Sequence, residues 1–307
     1  MRRLWALHRY LESQRPDVII SFLPLVNIAA LIAALGLRIP VIACERIYPP
    51  ALDPPLSLVA RGLRRMLYPK SAALIAQTKG IADWLGQRFG DTRIAVIPNP
   101  ITEPLPCVEP IILPENMLHA SRRVILAVGR MEHQKRFDLL IDAFAEVSDS
   151  RPEWDLVILG TGSQAASLQS RVQSKGLQSR IFLPGFAGNL ADWYRRAELF
   201  VLSSAFEGFP NALVEAMAHG LACIAFDIKT GPREISRDGT RALLLKDDTQ
   251  KIRLQEALQK LTHDTACRQK LAAAATSVNQ DYDLASVMQL WDVALQTVLK
   301  AEAHCAV

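Results

Sequence analysis

At 307 residues, 50% of them hydrophobic, the chain can bury sizeable cores, and two domains are the expected number. Its 35 Lys and Arg stand against 31 Asp and Glu, and a net charge of only +4 argues against a general nucleic-acid binder. Cys44, Cys107, Cys223, Cys267 and Cys305 are scattered without a CxxC pair, so they read as free thiols of a reducing cytosol, not as a zinc site or disulfide frame.

Met1-Arg2-Arg3 resembles the start of a leader, but His8, Arg9 and Glu12 interrupt any apolar segment behind it. The run Leu25 to Leu37 contains Asn27 and is too short to span a bilayer, so it reads as a buried helix. A soluble, cytoplasmic protein is expected, with room for contact at the inner face of a membrane. Short apolar strands at Val18–Phe22, Val41–Cys44, Ala72–Ala76 and Ile94–Ile97 alternate with helical stretches near 4–14, 25–36, 56–68 and 78–88. That alternation implies βαβ units and a parallel sheet covered on both faces. Pro98-Asn99-Pro100 ends the pattern, and Pro104, Pro106, Pro110 and Pro114 favour extended chain, so the span 105–120 is expected to be an interdomain linker.

A second series begins at Val124, with strands at Val124–Val128, Leu156–Leu159, Ile181–Leu183, Leu199–Leu202, Ala222–Phe226 and Ala242–Leu245. Phe137, Leu140, Ile141, Phe144 and Val147 form one apolar stripe of the helix after the first strand. Six strands with intervening helices describe a complete Rossmann-like domain, and beyond residue 248 the chain reads as all helix.

Three loops of this second series carry chemistry. The strand Leu199–Leu202 delivers SSAFEGFPNALVE, which sets Glu207 on a loop and Glu215 one turn into a helix that Asn211 is expected to cap. Ala212, Glu215 and His219 then share one helix face. Two carboxylates beside a helix N-terminus make a seat for a phosphorylated, hydroxyl-rich ligand; the plainer reading is a helix start with acids on a solvated face. Arg130 and Lys135 project from the loop after the first strand, where two cations can neutralise a diphosphate or simply serve as surface charge. Gly160-Thr161-Gly162-Ser163-Gln164-Ala165 fits a dinucleotide fingerprint after a strand, but the next strand ends Phe182-Leu183-Pro184-Gly185 without the acid that would hold a ribose.

The long run SSAFEGFPNALVEAMAHGLACIAFD, followed by TGPREI, closely resembles the signature of retaining glycosyltransferase family 4. GR-x4-K-RFDLLIDAF, Arg130 to Phe144 at its core, resembles the donor-phosphate motif of the same family. The resemblance implies an α/β GT-B fold of two Rossmann-like domains and a nucleotide diphosphate sugar as donor substrate, with no other cofactor and no metal. It implies that Arg130 and Lys135 stabilise the departing diphosphate, that Glu215 holds the nucleotide ribose, and that Glu207 faces the transferred sugar. Gly208, Phe209, Pro210, Asn211 and Ala212 line the same turn, Gly162 makes a tight turn near the ligand, and Gly185 opens the loop that lies against the base. His219 stands where relatives carry a small residue or Cys, and reads as a tolerated helix residue.

In the first domain Cys44-Glu45-Arg46-Ile47-Tyr48-Pro49 is similar to an S-E-R-N-x-P segment of relatives that build lipid-linked oligosaccharides. Its Ile47-Tyr48 departure leaves two readings for Glu45 and Arg46, an acceptor role or a mutual ion pair. The helix with Arg61, Arg64, Arg65 and Lys70 reads as a solvated face or as a surface for anionic lipid headgroups or a lipid diphosphate. The expectation is therefore a hexosyltransferase acting on a glycan or lipid-linked acceptor. Its parts would be an N-terminal acceptor-side domain (1–104), a linker (105–120), a nucleotide-sugar domain (121–284) and a closing helix (285–307) packing back on the first domain. Two alternatives stay open: an NAD-dependent sugar-nucleotide oxidoreductase or epimerase, and a non-catalytic nucleotide-sugar-binding remnant. The family's first domain normally opens with a strand and a glycine-rich loop, so this first domain is also expected to be incomplete, unstable and poorly active.

Overall fold

The computed structural model describes residues 2–51, 55–90, 92–246 and 250–305. The chain divides into two units, Met1–Asn99 together with Leu284–Val307, and Pro100–Asp283.

The first unit runs α1 (Arg2–Gln14), β1 (Ile19–Phe22), α2 (Pro24–Ala33), β2 (Val41–Glu45), α3 (Leu58–Leu67), β3 (Ala73–Ala76), α4 (Lys79–Phe89) and β4 (Ile94–Val96). Its strands are parallel and lie in the order β1-β2-β3-β4. Every residue of β2 and β3 is buried, as central parallel strands with both faces covered require. Side chains alternate between two layers. Val41, Ala43, Leu74 and Ala76 pack with Ile28, Leu31, Leu67, Ile81 and Leu85 from the helices, while Ile42, Cys44 and Ile75 meet Val287 and Val298 of the closing helix, Leu284–Cys305.

The second unit contains β5 (Arg123–Val128), α5 (Phe137–Ser148), β6 (Trp154–Leu159), α6 (Ala165–Ser174), β7 (Ile181–Gly185), α7 (Leu190–Arg196), β8 (Leu199–Leu202) and α8 (Asn211–Ala218). It continues through β9 (Ala222–Phe226), α9 (Pro232–Ile235), β10 (Leu243–Leu245), α10 (Gln250–His263), α11 (Thr265–Ala275) and α12 (Val278–Asp281), and the closing helix is α13. The strand order is β10-β9-β8-β5-β6-β7, all parallel. This is the doubly wound order, with its direction reversing between β5 and β8. Ile125, Ala127, Leu156 and Ile158 face one apolar layer, and Val124, Leu126, Val157 and Leu159 the other.

The proline-rich span 105–120 is not a free linker. The Val108 N–H donates to the Gly188 carbonyl at 3.1 Å, and the Gly188 N–H donates to the Pro110 carbonyl at 2.8 Å. The Asn189 amide both donates to and accepts from the Ile112 backbone (3.1 and 3.0 Å), the Trp193 indole donates to the Ile112 carbonyl at 2.9 Å, and Leu118 is buried. The backbone of this segment satisfies the open polar groups of the neighbouring loop before it turns through a short 3-10 helix at Pro114–Asn116. The units part at Asn99 and Pro100 instead.

No helix among the described residues is long and apolar enough to cross a membrane. Cys44, Cys107, Cys223 and Cys267 are free thiols, and the thiol of Cys305 lies outside the described side chains.

Candidate functional site

Where strand order reverses, the loops after β5 and β8 leave the sheet side by side. Three hydrogen bonds lace them. Ala205 N–H donates to the Gln134 carbonyl (2.8 Å), Gln134 Nε2 to the Phe206 carbonyl (2.8 Å), and Ser203 Oγ to the Lys135 carbonyl (2.6 Å). The lacing sets Lys135 Nζ against Glu207 Oε1 at 2.6 Å, with the two side chains only 14% and 9% exposed. At that burial the pair is coupled far more strongly than a surface ion pair, and removing either member strands a charge. The Thr230 hydroxyl donates to the Glu207 carbonyl and ties this loop to the turn after β9. Arg130 is exposed, and its charge bears on Glu132. Expected as a matched pair of cations, Arg130 and Lys135 are thus set in different surroundings.

Gly208, Phe209 and Pro210 are buried behind Glu207, and the Phe209 ring packs edge-on against Tyr282 at 5.4 Å. Pro210, not Asn211, occupies the N-cap of α8. Its carbonyl accepts the N–H groups of Leu213 (3.0 Å) and Val214 (3.3 Å), so Asn211 is already the first helical residue and not the cap.

Glu215 lies one turn into α8, partly buried near Ala212 and His219 on the expected face. Burial raises its carboxyl above the usual range, and a hydrogen bond from Tyr194 opposes that rise. The bond runs from Tyr194 Oη to Glu215 Oε2 at 2.9 Å. Tyr194 is fully buried, and burial pushes its hydroxyl well up, so it stays a neutral donor. His219 Nδ1 lies 2.8 Å from the Glu215 carbonyl oxygen, and its ring packs 5.2 Å from that of Tyr194. Tyr194 escapes the sequence reading altogether: Trp193-Tyr194 on α7 has the look of plain core, and nothing local links it to a glutamate on the next helix.

The glycine loop after β6 has a packing explanation. A Cβ on Gly160 would sit 1.9 Å from the Gly129 carbonyl oxygen, and one on Gly162 would sit 2.4 Å from that of Met131. Gly160 also holds φ +136°, so both glycines let two strand-end loops touch backbone to backbone. The Glu132 carboxylate clasps the same junction, accepting from the Ser163 N–H (2.9 Å) and hydroxyl (2.6 Å). Gly185 ends β7 with φ +89°, its carbonyl accepting from the Gly160 N–H at 2.8 Å. The dinucleotide-like spacing therefore reflects loop packing. One Asp-x-Asp triplet occurs, Asp281-Tyr282-Asp283, a spacing compatible with metal ligation. Asp281 is instead ion-paired with Arg237 (2.7 Å) and Arg241, and no group of three or more ligating side chains gathers among the described residues.

In the first unit Glu45 and Arg46 do not pair. Glu45 is fully buried and accepts from Tyr68 Oη at 2.5 Å, while Arg46 lies over the Phe22 ring at 5.2 Å. Ser21 Oγ donates to Asn27 Oδ1 (2.9 Å), and Asn27 Nδ2 donates to the Tyr68 oxygen (3.2 Å) and the Cys44 carbonyl (3.0 Å). Burial lifts the Glu45 carboxyl to about 7, against the Tyr68 bond and the nearby Arg64. Glu45 takes Tyr68 as its hydrogen-bond partner in place of Arg46, which lies against an aromatic face.

The family model for glycosyl transferases group 1 matches residues 111–278, more than half of the chain and the whole of this site. The chain belongs to that family. A glycosyl transferase 4-like domain matches residues 1–100 of the same glycosyltransferase. The enzyme is 26% identical over 294 residues to the amylovoran biosynthesis glycosyltransferase AmsD of Erwinia amylovora, covering 94% of this chain and 80% of the relative. It is also 26% identical over 291 residues to the GalNAc-alpha-(1->4)-GalNAc-alpha-(1->3)-diNAcBac-PP-undecaprenol alpha-1,4-N-acetyl-D-galactosaminyltransferase of Campylobacter jejuni, covering 94% of this chain and 77% of that one. The fold matches HepE of Anabaena, solved in complex with UDP, with a TM-score of 0.82 at 19% identity over 96% of this chain and 82% of that chain. The glycosyltransferase therefore has the α/β GT-B fold, with two parallel sheets.

Proposed function

We propose that this glycosyltransferase moves a hexosyl unit from a nucleotide diphosphate sugar to a hydroxyl of a glycan or lipid-linked acceptor, retaining the anomeric configuration. The observation that carries the reading is the Lys135–Glu207 pair at the switch point, on the loop that leads into α8 and its Tyr194-braced Glu215. In the reaction the bond between the anomeric carbon and the phosphate oxygen breaks, and its electron pair leaves on the diphosphate. The acceptor oxygen forms the new bond on the same face, and its proton passes to the departing phosphate oxygen. Lys135 and Arg130 stabilise the growing diphosphate charge, which electrostatic preorganisation makes most effective in the transition state. Glu207 holds the sugar hydroxyls and faces the positive anomeric carbon, and Glu215 accepts from the ribose through the oxygen that Tyr194 leaves open.

UDP in the HepE complex and the undecaprenol-linked substrate in the Campylobacter name point to a uridine donor and a polyprenyl-diphosphate acceptor. Work at the cytoplasmic face of a membrane, in surface polysaccharide assembly, follows from that chemistry. Thermal shifts with UDP-, GDP- and ADP-sugars, followed by the anomeric coupling constant of the product, test the reading. Stabilisation by nucleotide sugars and an unchanged anomer support it. Nucleotide-sugar binding without turnover on any lipid-linked acceptor would instead fit a non-catalytic remnant.

A further inference from the structure

We propose that the segment Val108–Ile112, strapped across the turn Gly185–Asn189, holds that turn in the shape that reads the nucleotide base, with Asn189 as the positioning residue. The role rests on the turn lying against the base, as the family resemblance implies. Left to itself the turn would be soft. Two of its five residues are glycine, Gly185 stands at φ +89°, and no helix begins before Leu190. It is anchored at both ends instead. Upstream, the Gly185 carbonyl accepts from the Gly160 N–H, which ties it to the glycine loop after β6. Downstream, Gly188 engages the strap with both of its backbone groups, accepting from the Val108 N–H and donating to the Pro110 carbonyl.

The strap adds little to the core. Its Val108 and Ile111 side chains are 52% and 39% exposed, whereas its backbone meets the turn at close range. A Cβ on Gly188 would lie 1.6 Å from the Val108 carbonyl oxygen, so only glycine lets the two backbones approach. Asn189 is 2% exposed, and its amide carries a donor and an acceptor on one planar group. Oδ1 accepts from the Ile112 N–H, while Nδ2 donates to the Ile112 carbonyl and, at 2.7 Å, to Asp192 Oδ2. Ala187, Gly188 and Asn189 are buried, which leaves Phe186 as the exposed residue of the turn. A loop braced before its ligand arrives loses less conformational freedom on binding. The strap should therefore favour the part of the nucleotide that touches the turn, the base, and not the diphosphate.

Calorimetry of the full chain with UDP and with pyrophosphate, which carries no base, tests this beside amide hydrogen exchange. In the wild type, UDP is expected to slow exchange at Phe186 and Ala187 and, through the strap bonds, at Val108 and Ile112. Asn189→Ala removes the amide. Gly188→Ala pushes the Val108 carbonyl away, and it does so by contact alone because Gly188 has no positive φ. Each variant should bind UDP about tenfold more weakly, the effect of a loop that must be ordered on binding, and should bind pyrophosphate as the wild type does. A merely structural role would lower both affinities together. An equal loss for the two ligands, or unchanged UDP affinity in both variants, overturns the proposal and leaves the turn's place against the base standing. The wild type decides the matter even where a variant fails to fold: protection at Phe186 and Ala187 without any at Val108 and Ile112 overturns the strap's role. Protection that misses Phe186 and Ala187 altogether overturns the reading of the turn, and the proposal with it.

Discussion

Glu207 and Glu215 are the same residue type eight positions apart in different surroundings, and the roles proposed for them differ accordingly. Glu207 shares a charge with Lys135, whereas Glu215 is held by the neutral hydroxyl of Tyr194. Glu215→Ala should therefore weaken nucleotide and donor alike, by roughly 1.5–3 kcal/mol for a lost charged hydrogen bond, and Glu207→Ala should spare nucleotide affinity while reducing turnover. Equal loss of UDP affinity in both variants, read by calorimetry, would refute the division. Lys135→Ala is expected to lower turnover about 10²–10³-fold, by analogy with a single electrostatic stabiliser, and to leave Glu207 buried without its partner. Tyr194→Phe gives a sharper test through pH. Burial already raises the Glu215 carboxyl, and the Tyr194 bond pulls it down. In its proposed role Glu215 accepts from the ribose most strongly when ionised, so nucleotide affinity is expected to fall as pH drops through that raised value. Removing the hydroxyl should move this acid limb to higher pH, and an unmoved limb would separate Glu215 from nucleotide binding.

At the scale of elements, the loops after β5 and β6 behave as one piece because their backbones touch at two glycines. Gly160→Ala has no room for its Cβ and no relaxed φ, so it should destabilise the second unit by about 1–3 kcal/mol and depress activity. A melting temperature within error of wild type would show that the loops part easily. The polar cluster under α3 carries a pH signature of its own. Glu45 sits near 7 in the folded chain, chiefly through burial, above its ordinary value of 4.5. The folded state thus holds this proton more tightly than the unfolded one. The stabilisation is fully present below about 4.5 and is lost as pH rises through 7. Glu45→Gln stays neutral and still accepts from Tyr68. Its melting temperature relative to wild type should rise between pH 5 and pH 8, and a flat difference would show that Glu45 titrates normally.

For the whole molecule, the consequential feature is that α13 belongs to the first unit although the second lies between them in sequence. Val287 and Val298 are buried against Ile42, Cys44 and Ile75, with Trp291 beside them. Burying a valine contributes about 1.5 kcal/mol or more, so ending the chain at Asp283 should remove several kcal/mol from the first unit alone. Calorimetry of that truncation should show the first unit's transition lowered or lost and the second unit's unchanged. A parallel fall in both would mean that the two units unfold together.

The strands, the two Rossmann-like units and the paired glutamates were legible in the sequence because each rests on short-range pattern. Apolar runs mark buried parallel strands, amphipathic spacing marks the helices between them, and the Glu-x7-Glu run spans one turn and the start of one helix. What tertiary structure decided depends on strand order, which no local spacing encodes. Crossing from β5 to β8 brought Lys135 onto Glu207, 72 residues away, and the β7–α7 path placed Tyr194 under Glu215. The same dependence turned a proline-rich linker into a packed strap over the Gly188 loop. It also separated Glu45 from Arg46 and sent Arg64 inward while Arg61 and Arg65 face out. In each case the residue's partner was chosen by which elements the sheet set side by side, not by its neighbours along the chain.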